Sequence, residues 1–565
     1  MTNSKLIRDY EFNDDTPTKL VEDNFYCGWP VVYLINSDSE LYIGETYHSA
    51  ERMKQHLKNQ DRRRLNELHI IGSSDFTKSA TLDIESSLIE LCKLENIREL
   101  QNDNDGLVYH HYANKDHFRK DSKFFANIWN ELKNRGIVQG NIENLLNSDL
   151  FKYSPYKLLN NEQRTVRDYI LEDIDNTLKN NEKKSIFVKG SAGTGKTILA
   201  IYLMKLLVTE GTYLIDNEDG ESVTFPFITN INSIKANRPN LKVAYVVAMS
   251  SLRKTLKDVF KSIKGLSPSM VISPNEVAKN KYDVLIVDEA HRLMKRKNIT
   301  QYGDFDKCNR ILGLDNNGTQ LDWILMNSDV QVLFYDSSQS IKPTDVDEER
   351  FNELVEKAGK SVHTLTSQMR CLAGMDYIQY VKDILNCEAD AKLDFSNKYD
   401  FVLFDDINDF YNEIYKHESQ DKLSRIVAGY GFEWVSKNNK NVTDINIGNK
   451  HFFWNKKSQG WPLSIEGKQV VNEVGCIHTI QGYDLNYCGV IFGPEIVYRN
   501  GKIEIVKENY FDIKGKAGIN EEELKDYIIN IYSVLLTRGI KGTYVYVCDD
   551  DLREYLKKYI DVYNK

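Results

Sequence analysis

A chain of 565 residues is too long for one hydrophobic core, and roughly three or four domains are expected. With 41% hydrophobic and 28% charged residues, and no apolar run near the ~18 residues of a membrane span, the composition excludes a membrane-embedded or wholly disordered chain. A net charge of −10 excludes a uniformly basic surface but leaves room for a local basic groove, and the eight scattered cysteines, with no CxxC and no zinc spacing, point to reduced thiols in the cytoplasm.

Residues 1–29 are polar and weakly patterned and read as a lead-in without the apolar core of a signal peptide. Residues 30–105 are expected to form a small α+β domain. It opens on "VVYLI" and "LYIGET", two strands joined by a polar turn. The next helix carries Arg52 and His56 at i and i+4, on one face. Arg52, Lys54, Lys58, Arg62, Arg63 and Arg64 place six cations within thirteen residues, either a solvated helix face or a patch that holds phosphates. In "TLDIESSLIELCKLEN", Ile84, Leu88 and Leu91 mark an apolar stripe, and helical projection places Glu85 inside it between Cys92 and Ile89. A carboxylate there needs a partner, a metal ion on one reading and a Lys or Arg on the other. Residues 106–155 are a polar connector holding one amphipathic helix, "FFANIWNELKNRGI".

From 156 onward, apolar runs such as "SIFVKG", "VAYVVAM", "YDVLIVDEA" and "VQVLFYD" alternate with helical stretches, the mark of βαβ units and a parallel sheet. A second set, "RIVAGY", "CGVIFG" and "GTYVYVCD", predicts two α/β lobes, 156–345 and 346–565. Residues 211–240 read as an insertion. The first lobe contains "GSAGTGKT" between a strand and a helix: Gly190, Gly193, Gly195, Lys196 and Thr197. Glycines let backbone N–H groups close around phosphate oxygens, the Lys reaches the terminal phosphates and the Thr hydroxyl ligates Mg²⁺. "YDVLIVDEA" supplies Asp288 as the second Mg²⁺ partner and Glu289 to polarise the attacking water.

The order of these segments resembles the superfamily one helicases, specifically the helicase-like domain of the Schlafen group, over roughly residues 155 to 550. The resemblance implies two RecA-like lobes and further roles. Gln163 in "LNNEQ" would read adenine, making ATP the nucleotide. Gln339 in "FYDSSQSI" would sense the γ-phosphate, Arg370 in "LTSQMRC" and Arg538 in "SVLLTRGIKG" would bring cations to the transferred phosphoryl group, and His478, Gln481, Gly482 and Asp484 would couple the nucleotide cleft to nucleic acid. The front segment resembles the GIY-YIG nucleases. Its second triplet stands as Tyr42, Ile43, Gly44, and its first as Val31, Val32, Tyr33, with Val where the family has Gly. That resemblance implies that Tyr33, with Tyr42, orients or deprotonates water, that Arg52 binds the scissile phosphate, that His56 moves a proton or contacts phosphate, that Glu85 holds Mg²⁺ or Mn²⁺, and that Asn102 is the closing asparagine. The expectation is a cytoplasmic ATP-dependent nuclease acting on nucleic acid, DNA rather than RNA, in anti-phage defence. The alternatives are a motor whose front module only binds nucleic acid, and a nuclease switched by ATP without translocation.

Overall fold

The computed structural model describes residues 6–564 except 103–111, 121, 143–144, 146–158, 192, 210–225, 264, 300, 337–343, 369–370, 422, 457–460, 462–471, 481–484 and 514. The expected roles of Gln339, Arg370, Gln481, Gly482 and Asp484, and much of the 211–240 insertion, lie outside the described residues. The chain divides into two compact units, one built on residues 1–161 and the other on 162–213 and 225–565. Among the described residues no helix is long and apolar enough to cross a membrane.

The first unit holds a five-stranded sheet. Its strands are β1 (Ile7–Glu11), β2 (Val31–Asn36), β3 (Glu40–Thr46), β4 (Glu67–Ile71) and β5 (Glu99–Leu100), in the order β1-β4-β2-β3-β5. The expected hairpin is β2 and β3, antiparallel, with Tyr33 opposite Gly44 and Ile35 opposite Tyr42. All six residues of β2 are buried because both faces of the sheet are covered. Val32 and Leu34 face a core with Ile84, Leu88 and Leu91 of helix α3 (Lys78–Glu95), whereas Val31, Tyr33 and Ile35 face the side of α1 (Thr16–Asp23) and α2 (Ser49–Lys58) with Leu20 and Met53. Burying such apolar side chains contributes about 1.5–3 kcal/mol each.

Two expectations need correction here. The lead-in contributes β1, whose residues pair one for one with β4 from Ile7 opposite Ile71 to Glu11 opposite Glu67. The amphipathic helix Lys123–Asn134 is no free connector: Phe125, Ile128, Trp129 and Leu132 are buried in the same core as α3, because its apolar face is completed there.

The second unit contains two sheets, one parallel and one parallel except for the antiparallel edge pair of Ile445–Ile447 with Lys450–Trp454. The first runs β11-β6-β10-β9-β7-β8, from β6 (Lys184–Gly190), β7 (Val243–Val247), β8 (Val271–Ile272), β9 (Tyr282–Asp288), β10 (Ser328–Tyr335) and β11 (Val362–Leu365). Its strands read as nearly continuous apolar runs because helices cover both faces. The last strand lies beyond the expected boundary at 345, since Val362–Leu365 pairs with the outer side of β6. The second sheet has the order β14-β15-β16-β13-β17-β20-β12-β21. Its strands are β12 (Asp400–Phe404), β13 (Ser424–Ala428), β14 (Ile445–Ile447), β15 (Lys450–Trp454), β16 (Glu473–Gly475), β17 (Leu485–Phe492), β20 (Gly539–Val547) and β21 (Asp561–Val562), with β18 (Ile496–Arg499) and β19 (Lys502–Ile505) forming a separate hairpin. Phe452 and Trp454 are core residues of this sheet.

Just past β17, Glu495 is fully buried. Its Oε1 accepts from the Tyr532 hydroxyl at 2.7 Å, and Oε2 has no partner among the described residues. Gly429, Gly431 and Gly493 leave the space for this carboxyl: a Cβ at each would lie 2.5, 1.8 and 2.3 Å from its oxygens. Burial pushes its pKa from 4.5 to about 7. The unfolded chain therefore releases this proton first, and the folded state loses stability as pH rises from about 4.5 to about 7, by a total of about 3 kcal/mol. Glu495→Gln is expected to flatten that decline and to melt higher than wild type at pH 8; equal melting temperatures at pH 8 would contradict the assignment.

Candidate functional site

The phosphate loop joins β6 to the helix Lys196–Val208. Gly193 and Gly195 take positive φ, 85° and 79°, a conformation open to glycine without the strain a Cβ would bring. Lys196 Nζ donates to the carbonyl oxygens of Gly190 at 2.6 Å and Ser191 at 3.0 Å, and lies 3.6 Å from Asp336. Gln163 is fully buried and donates its amide to the Thr194 carbonyl at 3.2 Å, which ties the residue expected to read adenine to the phosphate loop.

Register then places the acidic pair. β9 lies between β7 and β10, and Val247 is opposite Asp288. Asp288 is fully buried, its Oδ2 accepting from Tyr245 at 2.9 Å, with the Thr197 hydroxyl also hydrogen-bonded to it. Burial first, then the charge of Glu289, pushes Asp288 upward from the usual carboxylate range. For Glu289, burial works in the same direction but is outweighed by His291, Lys196 and Arg292, which hold it low. His291 Nε2 lies 2.9 Å from Glu289, while His291 Nδ1 accepts the backbone N–H of Asp336 at 3.3 Å. One carboxylate is thus poised to gain from a cation while its neighbour stays ionised. Thr197 and Asp288, a hydroxyl and a carboxylate side by side, are hard oxygen donors that fit Mg²⁺.

Arg538 stands at the head of β20, nine-tenths and more buried, with its charge beside the Cys488 thiol. His478 falls on the short helix Ile477–Ile480, its ring 6.1 Å from that of Tyr430.

In the front unit the sheet and α2 bring four of the expected residues together. Tyr33 and Tyr42 are diagonal neighbours on one face of the hairpin, with ring centres 6.2 Å apart. Tyr33 Oη lies 2.8 Å from His56 Nε2 and accepts from Arg52 Nε at 3.3 Å. Gly44 is required beneath them, since a Cβ there would sit 2.3 Å from the Tyr33 hydroxyl. Val31, in place of the expected glycine, is buried in the apolar layer. Asn102 ties down Ile43: its Oδ1 accepts from the Ile43 N–H at 3.0 Å and its amide donates to the Ile43 carbonyl at 2.7 Å.

Glu85 departs from expectation. It is half-buried at the margin of α3, and the buried carboxylate of that helix is Glu90, paired with Lys120 at 2.6 Å. Glu85 is nonetheless close enough to Tyr33 that its charge adds to the upward push burial exerts on the phenol. Among the described residues no three His, Cys, Asp or Glu converge as a metal cluster. A single accessible carboxylate still fits Mg²⁺, which keeps much of its water and takes one or two carboxylates plus substrate phosphate.

Sequence reasoning missed Tyr245, His291 and Arg62. The first depends on strand register. His291 was in plain view two positions after Glu289. Arg62 was counted only as one of six cations, yet its guanidinium lies 3.8 Å over the Tyr42 ring.

Residues 183–549 match the family described as Schlafen group 3, DNA/RNA helicase domain. An uncharacterized protein of Saccharomyces cerevisiae is 28% identical over 438 residues, covering 70% of this chain and 90% of its own length. Among solved structures, the arterivirus nonstructural protein 10 helicase is 13% identical, covering 67% of this chain and 64% of its own, with a TM-score of 0.27. Two coordinating Pif1 helicases on forked double-stranded DNA give 12% identity, 69% and 92% coverage and a TM-score of 0.24.

Proposed function

The chain belongs to the Schlafen group 3 DNA/RNA helicase-domain family, and from that premise we propose that it is an ATP-dependent nuclease: a metal-dependent phosphodiester-cleaving front unit coupled to an ATP-hydrolysing lobe pair that tracks or clamps DNA. The observation that carries the nuclease half is the convergence of Tyr33, Tyr42, Arg52 and His56 on one phenolic oxygen and its surroundings. These four side chains come from two strands and a helix and set a cation beside a phenol and an imidazole.

At the nucleotide site, Lys196 follows the terminal phosphates, and Thr197 and Asp288 would hold Mg²⁺, which would supply charge neutralisation to the phosphates. Glu289, held ionised by His291 and Lys196, orients the attacking water. Arg370 and Arg538 are proposed to meet the transferred group from the second lobe, Gln339 to sense it, and Gln481 and Gly482 to link it to the nucleic acid. At the front site, Arg52 binds the scissile phosphate, Tyr33 with Tyr42 takes or orients the water proton, His56 steadies the Tyr33 oxygen, and Glu85 holds a Mg²⁺ or Mn²⁺ ion that would stabilise the leaving oxygen.

The test is cleavage of labelled single- and double-stranded DNA, and RNA of matched sequence, by the purified full chain with Mg²⁺ or Mn²⁺, with and without ATP. Metal-dependent cutting of DNA whose rate responds to ATP is expected. Intact ATP hydrolysis with no cutting of any substrate would leave only a motor with a nucleic-acid-binding front unit.

A further inference from the structure

His56 is buried, and burial together with the charges of Arg62 and Arg52 lowers its pKa to about 3, so the ring is neutral and carries one N–H. Which nitrogen carries it decides what Tyr33 experiences. The groups around the ring are Tyr33 on β2, Tyr42 on β3, Arg52 on α2 and Arg62 on the turn Arg62–Arg64, and Glu85 on α3 acts on Tyr33.

Arg62 Nη1 lies 3.0 Å from His56 Nδ1. A guanidinium can only donate, so Nδ1 must accept. A proton on Nδ1 would set two donors against each other. We infer that Arg62 is a positioning residue that fixes the His56 tautomer, leaving the proton on Nε2, where it is donated to Tyr33 Oη. The mechanistic consequence rests on the nuclease reading above; the tautomer itself does not.

The Tyr33 oxygen then receives two N–H groups, from His56 Nε2 at 2.8 Å and Arg52 Nε at 3.3 Å. In the reverse tautomer Nε2 would accept from the phenol and hold it protonated. With Arg62 in place that acceptor is withdrawn, and the two donors work against the upward push that burial and Glu85 exert on the phenol, so Tyr33 gives up its proton more readily than it would beside the reverse tautomer. Arg62 is itself held by its stacking on Tyr42, 3.8 Å from the ring centre. Sequence alone could not show this, because Arg62 lies beyond the end of α2, six residues from His56.

Arg62→Gln separates the possibilities, since its amide oxygen can accept from Nδ1–H and permit the reverse tautomer. Arg62→Lys keeps a donor and a charge and controls for folding. Nitrogen-15 NMR of the full chain with labelled histidine, the His56 signals identified by their loss in His56→Gln, should place Nδ1 of the wild type in the unprotonated range and shift it toward the protonated range in Arg62→Gln. Cleavage by Arg62→Gln at neutral pH should fall about tenfold and recover as pH rises by about one unit, with Arg62→Lys close to wild type. A protonated Nδ1 in the wild type, or an unshifted pH profile in Arg62→Gln, would overturn the inference. A wild-type chain that cuts no substrate while its Nδ1 is unprotonated would overturn the nuclease reading and leave the tautomer assignment standing.

Discussion

Lys196→Ala is expected to lower ATP hydrolysis by about 10²–10³-fold, the usual effect of removing one preorganised charge donor from a reacting centre. The loop makes this residue hard to replace. Its ammonium is the cation nearest the loop carbonyls of Gly190 and Ser191, it stands 3.6 Å from Asp336, and its charge helps keep Glu289 ionised. Removing it therefore weakens phosphate binding and the water-orienting carboxylate together. The fold should survive, since β6 is held between β10 and β11 independently of the side chain. Steady-state phosphate release, with a thermal melt of the same sample, reads both effects; hydrolysis within a few-fold of wild type would remove Lys196 from the site. Cleavage in this variant is expected to lose its response to ATP, and cutting that still responds to ATP would place its control outside this loop.

What the sequence disclosed follows the range of the interactions involved. β6, β7, β9 and β10 were legible because strands covered on both faces must be apolar throughout, and the phosphate loop because its residues are contiguous. β1 was hidden because an edge strand half exposed to water, "IRDYE", alternates like any polar lead-in. β11 was assigned to the wrong side of a boundary because only pairing with β6, some 170 residues earlier, places it. At the sites, Tyr33, Tyr42, Arg52 and His56 were found by motif and helical spacing. Tyr245 and Arg62 were not, since one reaches Asp288 across a strand pair and the other reaches back over a turn. The residues named from motif and spacing have their neighbours near in sequence. Of the residues that bear on protonation, Tyr245 reaches Asp288 from another strand, whereas His291 and Arg62 lie two and six positions from the groups they act on.

Glu85→Ala is expected to abolish cleavage, by at least about 10²-fold, while leaving ATP hydrolysis unchanged. The position should tolerate the change: Glu85 is half-buried on α3, and alanine suits a helix interior at least as well as glutamate. Two roles for the carboxylate make opposite predictions. The Glu85 charge adds to the upward push on Tyr33, so if that were its whole effect, removing it would ease phenol ionisation and move the rise of activity to lower pH. If it holds a divalent cation, activity is lost at every pH, and neither alkali nor excess Mg²⁺ or Mn²⁺ restores it. Glu85→Gln, which keeps the shape and removes the charge, should behave like Glu85→Ala in the second case. Gel-resolved cleavage across pH 6 to 9 in graded metal decides between them, and retained cutting in both variants would take Glu85 out of the metal site altogether.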